Sequence, residues 1–304
     1  MAYTLDEWRW WRTHIDQKVA DDGRAFILCN GEGEPVAILP PVMESQAGQT
    51  AMDQGELDVT FAVDSPGGVH PVVDLLIDEG IGVQDNEGRL QPSTQKTWLI
   101  VAQYAGGERA RLAYKITFPT LSGTVRAPVD LTIQALDLNY LLAQLPCPSV
   151  PGWWHETRYQ LNESDISGVP YETPRELASI EMATRTAGYT EEGPAESAIR
   201  NIIRMSLDAV NALHGWEDDR HLIVDETTTG RESPRVHIVQ DDRWVWDTIN
   251  QPARLAGVNV STRLWWPGDS PIPYRPHGDG QTVTWDGNKA VAVVTVAQND
   301  EVPA

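Results

Sequence analysis

The residues best equipped for chemistry stand in Trp216-Glu-Asp-Asp-Arg-His221, where three carboxylates sit beside an imidazole. A transition-metal site built from such groups uses HxxxH or HExxH spacing, which places two ligands on one helix face. Neither spacing occurs here, and the segment follows Gly215 at the end of a helical pattern, so a solvated acidic loop accounts for it. Asp85-Asn-Glu-Gly88 begins like a calcium loop but lacks the alternating oxygen ligands and the closing Glu. No metal and no cofactor is expected from either segment.

Covalent and hydrolytic chemistry fare no better. A serine nucleophile on a strained strand-to-helix turn needs GxSxG, which is absent. Cys147 lies between two prolines with His155 eight residues on, but Cys–His pairs are brought together by the fold, and a rigid boundary loop explains the prolines. Two facing carboxylates suffice for glycoside hydrolysis, and 44 acids leave that open by count alone, yet no lysozyme or transglycosylase motif accompanies them. Gly31-Glu-Gly33 is acidic where a phosphate loop would present donors and positive charge. The expectation is a chain with no catalytic residue.

Tryptophan is the compositional departure: twelve Trp against three Phe. They gather as Trp8, Trp10 and Trp11, then Trp153 and Trp154, then Trp265 and Trp266. Indoles join a large apolar body to one N–H donor, which suits wide and partly wet contacts. Neighbours on a strand point to opposite faces, so Trp265 and Trp266 cannot share one core. A strand buried on both sides explains the pair, and subunit contact or sugar stacking are the functional alternatives. Contact is favoured, and Trp153, Trp154, Trp265 and Trp266 are the interface candidates.

The elements carrying these residues follow from local pattern. Thr4 and Glu7 form a capping box ahead of Trp8, Trp11, Ile15 and Val19, so a helix runs to Gly23. Strands are predicted at 25–30 and 36–39 around the Gly31–Pro35 turn, and at Leu57, Val59 and Phe61, which alternate with polar residues. Residues 72–77 fit a short helix or a strand. Residues 98–104 and 111–118 form a hairpin, 131–135 a strand, and 136–145 a helix ended by Pro146. A second capping box at Thr173-Pro-Arg-Glu176 predicts a helix to Gly188. Helices at 194–213 and after Trp244 follow, with strands at 222–224, 236–240, 259–264, 282–285 and 290–296, the last two joined by the Asp286-Gly-Asn288 turn.

The prolines at 146, 148 and 151 mark the best boundary. The reading is α+β: an N-terminal β-rich domain with a leading helix over 1–150, a helical insertion over 151–225, and a β-rich C-terminal domain with one packed helix over 226–304.

Charge and cysteine narrow the function classes. With 44 acids against 23 Lys and Arg the formal charge is −21, which opposes stable nucleic-acid or anionic-membrane binding. No apolar run approaches the roughly 20 residues of a membrane helix, and the N-terminus lacks the basic and apolar regions of a signal peptide. Cys29 and Cys147 are better read as lone buried thiols than as a disulfide.

Taken together, Leu131-Thr-Ile-Gln-Ala-Leu-Asp-Leu-Asn139, Leu145-Pro-Cys-Pro148, Gly168-Val-Pro170 with the Thr173 box, the 194–213 helix and Trp265-Trp-Pro-Gly-Asp269 resemble the minor tail proteins of actinobacterial siphophages. The resemblance covers the chain from about Trp98 onward. It implies a baseplate-hub-like fold of two tube-like β domains with insertions, usually a homotrimer. It further implies a place in the virion at the tail tip, after synthesis in the host cytoplasm. The implied partners are the distal tail protein, the tape measure protein and other tip proteins. The chain ends soon after its second β part, without a lysin or fibre domain, which favours a short hub or connector. A distal tail ring protein is the runner-up, and a tail-associated wall hydrolase or carbohydrate-binding tip protein stands behind it. A chain surrounding a DNA channel is expected to line it with acids, for which Asp85, Glu87, Glu217, Asp218 and Asp219 are the candidates. Charge alone fits equally a surface that merely keeps the protein soluble.

Overall fold

The structure is a computed structural model that describes residues 3–48, 52–65, 68–77, 83–84, 90–91, 97–124, 127–152, 160–177, 188–276 and 280–300. It is α+β and mostly β, and it divides into two units. The first comprises 1–140, 261–272 and 284–294, and the second 141–260, 273–283 and 295–304.

The first unit opens with the helix Leu5–Asp22. Its capping box is complete: the Thr4 hydroxyl accepts from the Glu7 amide, and the Glu7 carboxylate accepts from the Thr4 amide. Gly23 closes the helix at φ 78°, a conformation that a Cβ disfavours. The strands Arg24–Asn30, Pro35–Ile38, Val42–Ala47, Glu56–Ala62, Trp98–Tyr104, Arg111–Thr124 and Ala127–Asp137 make one antiparallel sheet. Across that sheet they run in the order 35–38, 24–30, 98–104, 111–124, 127–137, 56–62, 42–47. One face carries the core: Phe26, Leu28, Ile100, Tyr114, Leu131, Ile133, Leu57, Val59 and Phe61 are all buried together. The helix Pro71–Leu76, capped by the His70 ring on the Val72 amide, adds Val72 and Val73 to it. That settles the 72–77 segment as helical.

The second unit is organised by the helices Ala195–His214 and Val245–Ala256, ended by Gly215 and Gly257 in the left-handed region. Ile199, Ile202, Ile203, Val245, Trp246 and Ile249 are buried in it. Thr190–Pro194 pairs with Arg235–Val239, and Gln160–Ser164 pairs with Pro170–Leu177. A three-stranded sheet has the order Leu222–Val224, Val291–Gln298, Val258–Trp265. Its last two strands contribute residues to both units.

Three predicted elements differ. The helix expected from Thr173 is instead the strand Pro170–Leu177. Its hairpin is set by Asp165, whose carboxylate accepts from the Ser167 and Val169 amides while Gly168 adopts φ 81°. The remainder of that predicted helix lies outside the described residues. The helix expected over 136–145 shrinks to a single 3-10 turn, Leu138–Leu141. Asp137 ends the preceding strand by accepting from the amides of Gly55 and Asn139, an Asx turn that competes with helix initiation. The third difference concerns Asp286-Gly-Asn288, which does not join a hairpin: Val283–Trp285 pairs with Ile272–Tyr274, whereas Val291–Gln298 belongs to the three-stranded sheet.

Candidate interaction surfaces

The turn after the aromatic strand is densely hydrogen-bonded. Gly268, at φ 93°, lets Trp266-Pro-Gly-Asp269 fold back so that the Asp269 carboxylate accepts from the Trp266 amide at 2.8 Å. The same carboxylate takes Arg12 Nη1 at 2.9 Å and both terminal nitrogens of Arg111. Arg111 also reaches Gln103 Oε1 at 3.1 Å and lies 4.0 Å from the Trp266 ring centroid. Burial pulls the Arg111 guanidinium below its usual range, and Asp269 opposes that pull.

Trp265 and Trp266 are both buried and occupy different surroundings, as their adjacency on a strand requires. Trp265 donates to Ser270 O at 2.9 Å and packs edge-on to Trp285. Trp266 donates to Gly33 O at 3.0 Å and lies 6.0 Å from Trp8, whose own indole donates to Asn288 O. The indole N–H groups of Trp8, Trp265 and Trp266 are each satisfied, so these three read as a packed and pinned core.

The other sequence candidates are scattered. Trp153, Trp154, Asp85 and Glu87 lie outside the described residues. Glu217, Asp218 and Asp219 are exposed just past the long helix, where Asp219 faces His221 at 3.9 Å. Among the described residues no group of three or more metal-binding side chains forms, and no helix is long and apolar enough to cross a membrane. Cys29 and Cys147 are free and buried, and burial raises both thiols above their usual range.

Two further surfaces of the first unit are formed by strand register, which no single residue in the sequence marks. Register places Glu44 and Gln46 beside Thr60 and Asp58, and these beside Thr132 and Gln134, on the sheet face opposite the core. Glu56 and Asp130 share that face, opposite Leu136 and Ala62. Its residues are exposed or half-buried, and across these strands its charged groups are acids. Alternation of Glu56 and Asp58 with Leu57, Val59 and Phe61 was the signal available in sequence.

The second surface is the distal hairpin. Residues 116–124 carry no charge, and they run past the end of the neighbouring strand, whose pairing stops at Lys115–Leu99. Phe118 is 60% exposed and Val129 54%. Pro119 lacks a donor for a further strand, and register irregularities at 116/118 and 122/123 break the regularity of the ribbon's own ladder. Such features discourage strand addition, leaving the faces for contact.

No known sequence family matches the chain, and no curated protein matches it. Among solved structures it is similar to the prophage tail protein gp18 from Listeria monocytogenes EGD-e, with TM-score 0.36 and 7% identity over 90% of this chain. It is also similar to the tail protein from Neisseria meningitidis MC58, with TM-score 0.34 and 10% identity over 90% of this chain. In both cases the chain spans 50% of the other protein's length.

Proposed function

We propose that the chain is a structural, non-enzymatic component of a phage tail, placed at the tip as a hub or connector around the channel for DNA and the tape measure protein. The observation that carries this is the open sheet face of Glu44, Glu56, Asp58 and Asp130, backed by a rigid core and flanked by the uncharged strand segment 116–124. An acidic wall repels phosphate, so DNA passes without the counterion release that would hold it. The ribbon bearing Phe118, Leu121 and Val129 suits contact between copies, in the homotrimer that the sequence resemblance implies. Trp153 and Trp154 stay proposed contacts, and Glu217, Asp218 and Asp219 proposed lumen acids alongside the sheet face. The distal tail protein and other tip proteins are the proposed neighbours.

The test is made in assembled particles. Virions carrying Glu44→Lys, Glu56→Lys and Asp58→Lys together are expected to keep intact tails and to release DNA more slowly at low salt than at high salt. Electron microscopy of the purified chain should show closed rings, threefold for a hub and sixfold for a distal ring. A continuous basic belt on the axis of the assembled tip would reject the channel reading. Absence of the chain from purified virions would reject the tail reading altogether.

A further inference from the structure

The second unit holds a groove of about 350 Å³ between a strand and a helix. Arg235, Val236 and His237 line it from the strand Arg235–Val239, and Gln251, Pro252 and Leu255 from the helix Val245–Ala256. Three features of the groove bear on what it takes. The strand pairs along one edge only, with Thr190–Pro194, and among the described residues no strand occupies the other edge. Leu255 is 76% exposed although the helix buries Val245, Ile249 and Ala253 on its other face. The lining also contains two basic side chains and no acid, on a chain with 44 acids against 23 Lys and Arg.

A free strand edge beside a helix offers main-chain donors and acceptors for strand addition, with alternate side chains of the incoming segment dropping into the groove. Leu255, Pro252 and Val236 give an apolar floor. Arg235 is paired with Glu192 at 3.2 Å, but both side chains are largely exposed, so an incoming carboxylate exchanges for Glu192 at little loss. We propose that this groove binds an extended, acidic and apolar segment of a partner protein, added as a strand along Arg235–Val239, with its carboxylates toward Arg235 and His237. The inference stands on the groove alone and does not rest on the tail reading.

The test uses the full chain and a fluorescein-labelled synthetic peptide, Ser-Glu-Val-Thr-Val-Glu-Ser. Two controls accompany it, one with Lys for both Glu and one N-methylated at both Val and the Thr between them. Fluorescence anisotropy should give saturable binding of the first peptide below about 1 mM, with each control at least about tenfold weaker. Leu255→Asp, at a site too exposed to matter for folding, should weaken binding by at least about tenfold with an unchanged melting temperature. Hydrogen exchange should show protection by the peptide within 235–239. Absence of saturable binding, equal binding of the Lys peptide, or indifference to Leu255→Asp would overturn the proposal. Undiminished binding of the N-methylated peptide would overturn it too, since strand addition in either direction needs amides among those three.

Discussion

Replacing Asp269 by Asn isolates the charge in the turn while keeping its size. Asp269 is fully buried at its side chain, and Arg111 is 5% exposed at its own. Neutralising the acid therefore strands a guanidinium where water cannot reach it. Breaking a buried pair from one side destabilises by about 3–5 kcal/mol, most of it from the uncompensated charge left behind. Arg12 is 31% exposed at its side chain and turns partly to water, so Arg12→Ala should cost only about 1 kcal/mol. The informative comparison is the double variant Arg111→Met with Asp269→Asn. It removes both charges, and should recover at least half of the loss seen in Asp269→Asn alone. Urea unfolding, followed by tryptophan fluorescence and by limited proteolysis, provides the measurement. Two units need not unfold together, so cuts within 1–140 are tracked separately from cuts within 141–260. If Asp269→Asn shifts stability by less than about 1 kcal/mol, the pair is not holding the turn. If the double variant is worse than the single, stranded charge is not the cause.

Three further outcomes follow from the same packing. Trp266→Ala removes a buried indole together with its bond to Gly33 O and its stack on Arg111, and should cost about 3–5 kcal/mol by urea titration. A variant that stays as stable as the parent would contradict that packing. Native protein should leave Cys29 and Cys147 unlabelled by a thiol-disulfide reagent at neutral pH, both reacting once urea is added, because burial keeps the thiolate unfavourable. Burial works against the Glu196 carboxylate, but donors from Thr229 and Arg200 outweigh it and hold its pKa below the usual value. Its stabilising contribution is therefore complete above the unfolded pKa and lost as pH falls through the folded one. Glu196→Gln should expose Arg231 to trypsin at neutral pH, and it should flatten the fall in melting temperature as pH drops through the carboxylate range, relative to the parent.

Local signals were legible and long-range ones were not. The Thr4–Glu7 box, the glycines at 23, 215 and 257, and the alternation at Leu57, Val59 and Phe61 each act within a few residues, so the elements they mark stand where pattern places them. Thr173-Pro-Arg-Glu176 has the residues of a capping box, yet the strand Gln160–Ser164 supplies a partner that no local pattern reveals. The Asp137 carboxylate bonds to the Gly55 amide, 82 residues away, and that bond turns a helical pattern into one 3-10 turn. The meeting of Arg111 with Asp269 spans 158 residues. Sequence exposed the aromatic strand and its turn, but not the cation they enclose.

The buried arginines also explain the character of the surface. Arg111, Arg200, Arg204 and Arg220 are all buried, and their carboxylate partners are Asp269, Glu196, Glu226 and Asp208. Arg200 further ties the Thr227 and Val296 carbonyls, which fixes the loop beyond Glu226. Each of these pairs is neutral, so burying them leaves the chain's formal charge at −21 while withdrawing four cations from the surface. Two such surfaces repel each other over about 8 Å at physiological salt. Close contact between copies then requires a stretch free of acids, and contact with an acidic segment requires exposed bases. The ribbon at 116–124 meets the first condition, and the groove with Arg235 and His237 meets the second. Burial of arginine inside each unit thus restricts where this chain can be touched from outside.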